Sequence, residues 1–231
     1  ELLATKIGDG VTRLVNSPKE ILREIKSLGK VMALTRNENC VHERKGKYLN
    51  ASIGKSPVGL FVGEDIDLRI FFMHWAFAFA VSEMARGKER LSLQFFAEDG
   101  KAIHKIYLTP QSYVEAYKAL VEKYKAEEQN TKLEIRVFAE APRYKNDHEV
   151  DLAGFQKSWE ELKDTHHFFG LLKKHNISRS QALRLAPSAY YAEQIEKEKI
   201  VSMLEKVARE ELPIMVFVGN PGNIQIHTGK I

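Results

Sequence analysis

The chain is poor in cysteine. Cys40 is the only one in 231 residues, which excludes an internal disulfide and the cysteine-rich zinc and iron–sulfur sites and suits a reducing compartment. Long apolar runs are lacking too. The longest, Ile70 to Val81, is interrupted by His74 and is too short to span a bilayer. No signal-peptide pattern opens the chain, and it begins at Glu1 rather than Met, so we expect the natural start to lie upstream. Charge bias is slight: a net charge of +4 and a pI near 9.0 permit an anionic ligand or nucleic acid without arguing for either. No glycine fingerprint of a flavin or nicotinamide site is present. His42, His74, His104, His148 and His227 fall into no metal-ligand spacing and are read as structural. Hydrophobic residues make up 44% and charged residues 29%, as in ordinary soluble globular domains, and the length suffices for one large domain or two small ones.

What is present centres on the stretch Trp159 to His175. Trp159, Leu162, His166 and Phe169 follow the rhythm of one helical face, with a histidine where an apolar residue is expected. Gly170 follows one turn after His166, and a glycine inside a helix costs about 1 kcal/mol relative to Ala, which invites a steric explanation. A flat ligand against the imidazole supplies one. His167 points about 100° away and reads as the solvent-facing member of the pair. The bland alternative for His166 is a core histidine satisfied by a backbone carbonyl.

Upstream, Ser17-Pro18 opens a helix that Gly29 ends. Val31 to Arg36 and Cys40 to Arg44 read as a hairpin through Asn37 to Asn39, and Gly59 to Val62 reads as a short strand. Asp67 to Ser82 reads as one long central strand, with Arg69, Phe71, Met73, Trp75, Phe77 and Phe79 on one face. Leu91 to Phe96 and Ile103 to Leu108 form a hairpin through Asp99-Gly100. A helix is expected from about Pro110 to Lys125, with Tyr113, Ala116, Tyr117 and Leu120 inward. Ala126 to Val150 reads as a polar connector in which Leu133 to Phe138 is a candidate edge strand. Beyond the His166 helix come a helix opened by a capping box at Ser178 to Gln181, a longer one from Pro187 to Glu211, and a last hairpin, Ile214 to Val218 and Ile224 to His227.

The last hairpin lies over the first without a gap. Val31 to Asn37 aligns with Ile214 to Asn220, and Val41, Gly46 and Lys47 align with Ile224, Gly229 and Lys230, at a constant offset of 183 residues. Chance likeness of two amphipathic hairpins is the alternative; the unbroken register favours a duplicated unit. We therefore expect an α+β fold, an antiparallel sheet with helices in tandem repeat, the second copy incomplete. The expected division is a first repeat over 1–125, a connector over 126–150 and the start of a second repeat over 151–231, in what reads as the middle of a longer protein.

Several segments together resemble the HemS/ChuS family of bacterial cytoplasmic haem-handling proteins, also called hemin-degrading factors. They are Val31 to Asn37 with Val41-His42-Glu43, Asp67-Leu68-Arg69-Ile70-Phe71, Gln94-Phe95-Phe96 with His104-Lys105, Asp164 to Asn176, and Met215 to Asn220 with Ile224-Gln225. The likeness runs along essentially the whole chain in order. It implies haem held between two halves, an axial iron ligand at His166 with His167 as the fallback, and a distal, catalytically placed arginine at Arg69. It further implies aromatic haem contacts at Phe71 and Phe169 and a basic propionate contact at Arg179. Lys173 is a further candidate for the propionates. At Gly170 the chain departs from the family, whose members carry Thr or a similar residue. The family's C-terminal sheet, with further basic and tyrosine contacts to haem, has no counterpart here.

A neutral imidazole suits haem iron, and distal polarity decides the fate of bound O₂. Against Arg69 in that role stands an arginine paired with Asp67 or Glu64. Against Lys173 stands a solvated face, and against Phe71 and Phe169 plain packing. Three function classes follow. The first is a cytoplasmic haem carrier in haem uptake and iron acquisition, delivering haem to a receiving enzyme or uptake system. The second is a haem-degrading, oxygenase-type enzyme with an external electron donor. The third, disfavoured, is a nucleic-acid module: Leu172 to Leu185 has a helix-turn-helix look, but its second helix carries only Arg179 and Arg184. A homodimer is expected if an open sheet edge pairs between chains, and membrane insertion is not expected.

Overall fold

The computed structural model describes residues 3–136 and 143–231. Its elements, in chain order, are β1 (Val11–Leu14), α1 (Pro18–Glu24), β2 (Gly29–Arg36), β3 (Val41–Gly46), β4 (Ala51–Ser52), β5 (Val58–Val62), β6 (Asp67–Phe71), β7 (Phe77–Ala85), β8 (Lys88–Phe96), β9 (Ala102–Ser112) and α2 (Val114–Tyr124). There follow α3 (Leu152–Glu160), α4 (Phe168–His175), α5 (Arg179–Arg184), α6 (Lys197–Arg209), β10 (Ile214–Asn220) and β11 (Asn223–Gly229). One compact unit takes in the chain to Phe138 and again Glu211–Ile231; the other is Ala139–Glu210. No helix among the described residues is long and apolar enough to cross a membrane.

The first unit is two antiparallel sheets around one core. The six-stranded sheet runs β1-β7-β8-β9-β2-β3, the five-stranded sheet β10-β11-β6-β5-β4. Val31, Ala33, Leu93, Phe95 and Ile106 from one meet Phe61, Leu68 and Ile70 from the other, closed by Ile21, Leu22 and Leu120 of the helices. The α1 segment starts with Pro18 at its first turn, tightens into a 3-10 turn over Ile25–Leu28 and stops at Gly29, whose φ of 74° an L side chain rarely adopts.

The expected single strand from Asp67 to Ser82 is two. Phe72–His74 form a 3-10 turn, and β6 and β7 belong to different sheets. The turn is held by Phe72 N donating to the Pro57 carbonyl at 2.9 Å and by the Trp75 indole donating to the Gly222 carbonyl at 2.8 Å. A run apolar on both faces carries no mark of such a corner. Helix α2 starts at Val114 because β9 continues through Pro110 to Ser112, and Tyr113 is exposed rather than inward. The helix expected over Pro187 to Glu211 covers only Lys197–Arg209. Of the candidate edge strand over 133–138, the part to Arg136 joins no ladder among the described residues, where Arg136 N donates to the Glu98 carbonyl at 3.0 Å, and the rest lies outside the described residues.

The internal repeat is visible in the ladders. Val31 pairs with Gly46 and Thr35 with His42; Ile214 pairs with Gly229 and Val218 with Gln225. These are the same pairs displaced by 183 residues. The turns match as well: Asn37 Oδ1 accepts from the backbone N–H groups of Asn39 and Cys40 at 2.9 Å, and Asn220 Oδ1 from those of Gly222 and Asn223 at 3.0 Å. The two turns also bind each other reciprocally, Asn37 Nδ2 donating to the Gly219 carbonyl at 3.0 Å and Asn220 Nδ2 to the Arg36 carbonyl at 3.1 Å. Such a reciprocal pair marks a local two-fold between the hairpins.

A buried polar knot ties these hairpins to the sheet. His104 is fully enclosed, with Tyr48 Oη 2.6 Å from Nε2 and Thr35 Oγ1 3.0 Å from Nδ1. Asn223 Nδ2 donates to Thr35 Oγ1 at 2.7 Å and lies 3.0 Å from His104 Nδ1. Burial pushes the imidazole pKa down to about 3, only partly offset by a hydrogen bond with the Leu34 backbone. His104 is therefore neutral and structural, as its spacing suggests.

Candidate functional site

Within Ala139–Glu210, Val150, Phe155, Leu171, Leu172, Ile177 and Ala182 form the core, with Trp159, Leu162 and Phe168 packed against it. The segment carrying His166 is not one helix. Helix α3 ends at Glu160, Asp164 is extended, Thr165–His167 make a 3-10 turn, and α4 begins at Phe168. The apolar rhythm through Trp159 and Leu162 is real but continues at Phe168, and His166 is not on the buried stripe. Its side chain is 90% exposed, which corrects the expected core-facing position and removes the reading of a buried, carbonyl-satisfied histidine.

Asp164 explains the turn. Its carboxylate accepts the His166 backbone N–H at 2.8 Å, capping the 3-10 segment, and lies 2.7 Å from His166 Nδ1. Those same bonds hold the Asp164 carboxyl below its ordinary pKa. With Nδ1 engaged, Nε2 is the free ring nitrogen, with no partner among the described residues. A carboxylate holding the far nitrogen fixes tautomer and ring orientation and strengthens the imidazole as a ligand.

Phe169, Gly170 and Lys173 stand one, three and four residues apart with Phe169 and Lys173 on one side of α4, and His166 sits in the turn that leads directly into it. Phe169 is 72% exposed, unusual for a phenylalanine, and a Cβ at Gly170 would meet nothing within 4 Å. The glycine therefore answers no internal crowding; it leaves the stripe flat. Lys173, in the last turn of α4, is exposed and its ammonium unpaired among the described residues. Arg179 opens α5 behind the Ser178 to Gln181 capping box, also exposed and unpaired among the described residues, whereas Arg184 is committed to Asp147. His167 is exposed beside His166.

In the first unit, Arg69 and Phe71 are two apart on β6, on the face opposite buried Leu68 and Ile70. Arg69 Nη1 donates to the Asp67 carboxylate and, at 3.2 Å, to the Leu68 carbonyl. Nε and Nη2 keep their donors without partners among the described residues, so the pairing with Asp67 orients the guanidinium without using it up. Arg69 lies across from Leu60 and Ile224, Phe71 across from Val58. Asp164 is the contact of the candidate ligand that the spacing argument missed; an Asp two residues before the histidine is the cap signature that reveals it.

The fold and site describe an α+β protein with a duplicated hairpin and an exposed, carboxylate-oriented histidine beside an exposed phenylalanine and unpaired cations. A family model described as the haemin-degrading HemS.ChuX domain matches residues 1–124 and 176–231. The chain belongs to this HemS family. It is 34% identical, over its whole length, to the hemin transport proteins HmuS of Yersinia pestis and HemS of Yersinia enterocolitica, and covers 66% of each. Among solved structures it matches holo-PhuS, a heme-binding protein from Pseudomonas aeruginosa, at 42% identity and a TM-score of 0.94. It matches the heme-degrading enzyme ChuS of Escherichia coli O157:H7 at 31% identity and a TM-score of 0.88. In both, all of this chain and 66% of the other are covered. The chain thus spans just under two thirds of these relatives, and the family match leaves out the segment that carries His166. These relatives lend the nucleic-acid reading no support.

Proposed function

We propose that this chain belongs to a cytoplasmic haem-binding protein of haem uptake and iron acquisition, which delivers haem to a receiving partner or degrades it. The observation that carries the reading is the Asp164–His166 pair: an exposed imidazole with one nitrogen held by a carboxylate and the other free. In this reading His166 Nε2 would hold haem iron, with His167 as the fallback. Phe169 lies against the macrocycle, Gly170 leaves room for it, and Lys173 and Arg179 pair with propionates by charge-assisted hydrogen bonds. Arg69 and Phe71 would supply the distal contacts, the guanidinium offering its donors in a planar fork. Haem-binding PhuS and the hemin transport proteins among the relatives support the same ligand.

Degradation is favoured over carriage by one feature, the Nε and Nη2 of Arg69, which have no partner among the described residues and would offer hydrogen-bond donors on the distal side of a bound haem; the electron donor would be external. Homodimerisation and a haem-receiving partner belong to the same proposal. Haem titration of the chain tests the ligand. A Soret band is expected, weakened in His166→Ala and retained in His167→Ala; a spectrum unchanged in His166→Ala removes the assignment. Holo protein with reductant, O₂ and catalase then separates the two activities. A persistent Soret band without a tetrapyrrole product leaves carriage, and a decaying one with product shows degradation.

A further inference from the structure

Away from Arg69 and His166, the six-stranded sheet carries a cavity of about 450 Å³ on its outer face. Strand register builds it. Phe79, Gln94 and Lys105 form one cross-strand row, Phe77 faces Phe96, and Glu83 faces Arg90. Because side chains alternate along strands, these share the face opposite Ala78, Ala80, Leu93, Phe95 and Ile106, which pack into the core with Leu120 of α2. Phe77, Phe79 and Phe96 give the cavity an apolar wall, and Leu133 and Ile135 extend it.

The polar groups of the cavity are unequally satisfied. Arg90 donates twice to Glu83 Oε1, at 2.6 and 3.0 Å, and its guanidinium lies 4.7 Å from the centre of the Tyr107 ring. Lys105 is half-buried among them, and its ammonium has no hydrogen bond or ion pair among the described residues. Burial pushes its pKa down; Arg36 and Arg90 add repulsion, and Glu83, already committed to Arg90, attracts it. A partly desolvated ammonium without a partner is costly, and an anion in the same space relieves the cost. Among the described lining residues, Arg90 and Lys105 outnumber the one carboxylate, Glu83. No histidine, cysteine or methionine stands among the described lining residues, so the cavity presents no such ligand to iron.

We propose that this cavity is a binding site for an organic carboxylate with an apolar body, its carboxylate pairing with Lys105 Nζ and its hydrocarbon or ring lying against Phe77, Phe79 and Phe96. The inference is independent of the haem reading. Calorimetric titration of the 231-residue chain with decanoate, decanol and decyltrimethylammonium tests it. Decanoate binds once per chain, decanol at least about tenfold more weakly for want of a charge-assisted hydrogen bond, and the cation not at all. Lys105→Met brings decanoate down to the level of decanol and leaves decanol unchanged, while Lys105→Arg, which keeps the charge, retains decanoate binding. Equal affinities for decanoate and decanol, no decanoate binding below its aggregation concentration, or decanoate binding unmoved in a folded Lys105→Met chain each overturn the proposal. Should Lys105→Met not fold, Lys105→Gln takes its place with the same two outcomes.

Discussion

The Asp164 carboxylate both caps the turn that contains His166 and engages the imidazole Nδ1. Asparagine at 164 keeps a cap but loses the charge, so Asp164→Asn should weaken haem binding by about 10–100-fold while His166 stays in place; affinity from a haem titration beside an unchanged circular dichroism spectrum measures this. His104 makes the opposite use of an imidazole. Its folded pKa of about 3 lies below the unfolded value, so the unfolded chain takes up a proton that the folded chain does not. The stabilisation it gives is present above about pH 6.5 and is lost as pH falls toward 3, at about 1.4 kcal/mol per pH unit. Urea unfolding should show a slope that rises toward that value as pH falls from 7 to 5, and His104→Asn should flatten it. At this scale the sequence was legible in residue identity but not in exposure. Spacing put His166 on the apolar stripe because it assumed an unbroken helix, and the cap at Asp164 is what breaks it.

The two matched hairpins carry the duplication. Asn37 and Asn220 each close their own turn and donate to the other hairpin, so Asn37→Ala and Asn220→Ala should each cost about 1–2 kcal/mol. The Asn220 loss should be the larger, since Asn220 Nδ2 also donates to the Ile103 carbonyl at 2.8 Å, and the double variant should lose less than the two single losses combined, since the bonds lie side by side. Chemical denaturation of the three variants checks both statements. Both hairpins and the constant offset between them were legible, because alternation, turn residues and the unbroken alignment all agree there. The corner at Phe72–His74 was not, since the residues on either side are apolar on both faces and the bonds that make it come from Pro57 and Gly222. The turn between β7 and β8 was missed as well; Arg86 and Gly87 both take positive φ there, and an Arg-Gly pair is a weak turn signal.

In the molecule as a whole, the five-stranded sheet ends at β10, an edge strand with Met215, Val216 and Phe217 all exposed. Flat apolar edges pair with other chains unless charged or covered. The chain is predicted to self-associate with concentration in sedimentation velocity, and Phe217→Lys to raise the midpoint by at least about tenfold. A sedimentation coefficient independent of concentration in the unsubstituted chain would contradict this. The α+β class and the duplicated unit were legible from composition and register. The packing of Glu211–Ile231 with the first unit was not, because it depends on contacts such as Asn223 with Thr35 between residues far apart in sequence. We propose that 1–125 and 151–231 nonetheless remain the two copies of the repeat, joined through 126–150.

The central claim is that His166 ligates haem iron, and the most direct measurement is the absorption spectrum of the haem-loaded chain compared with that of His166→Ala. A Soret band that shifts and weakens in His166→Ala, with circular dichroism unchanged, is the predicted result. An identical Soret band and equal haem affinity in the two proteins would contradict it.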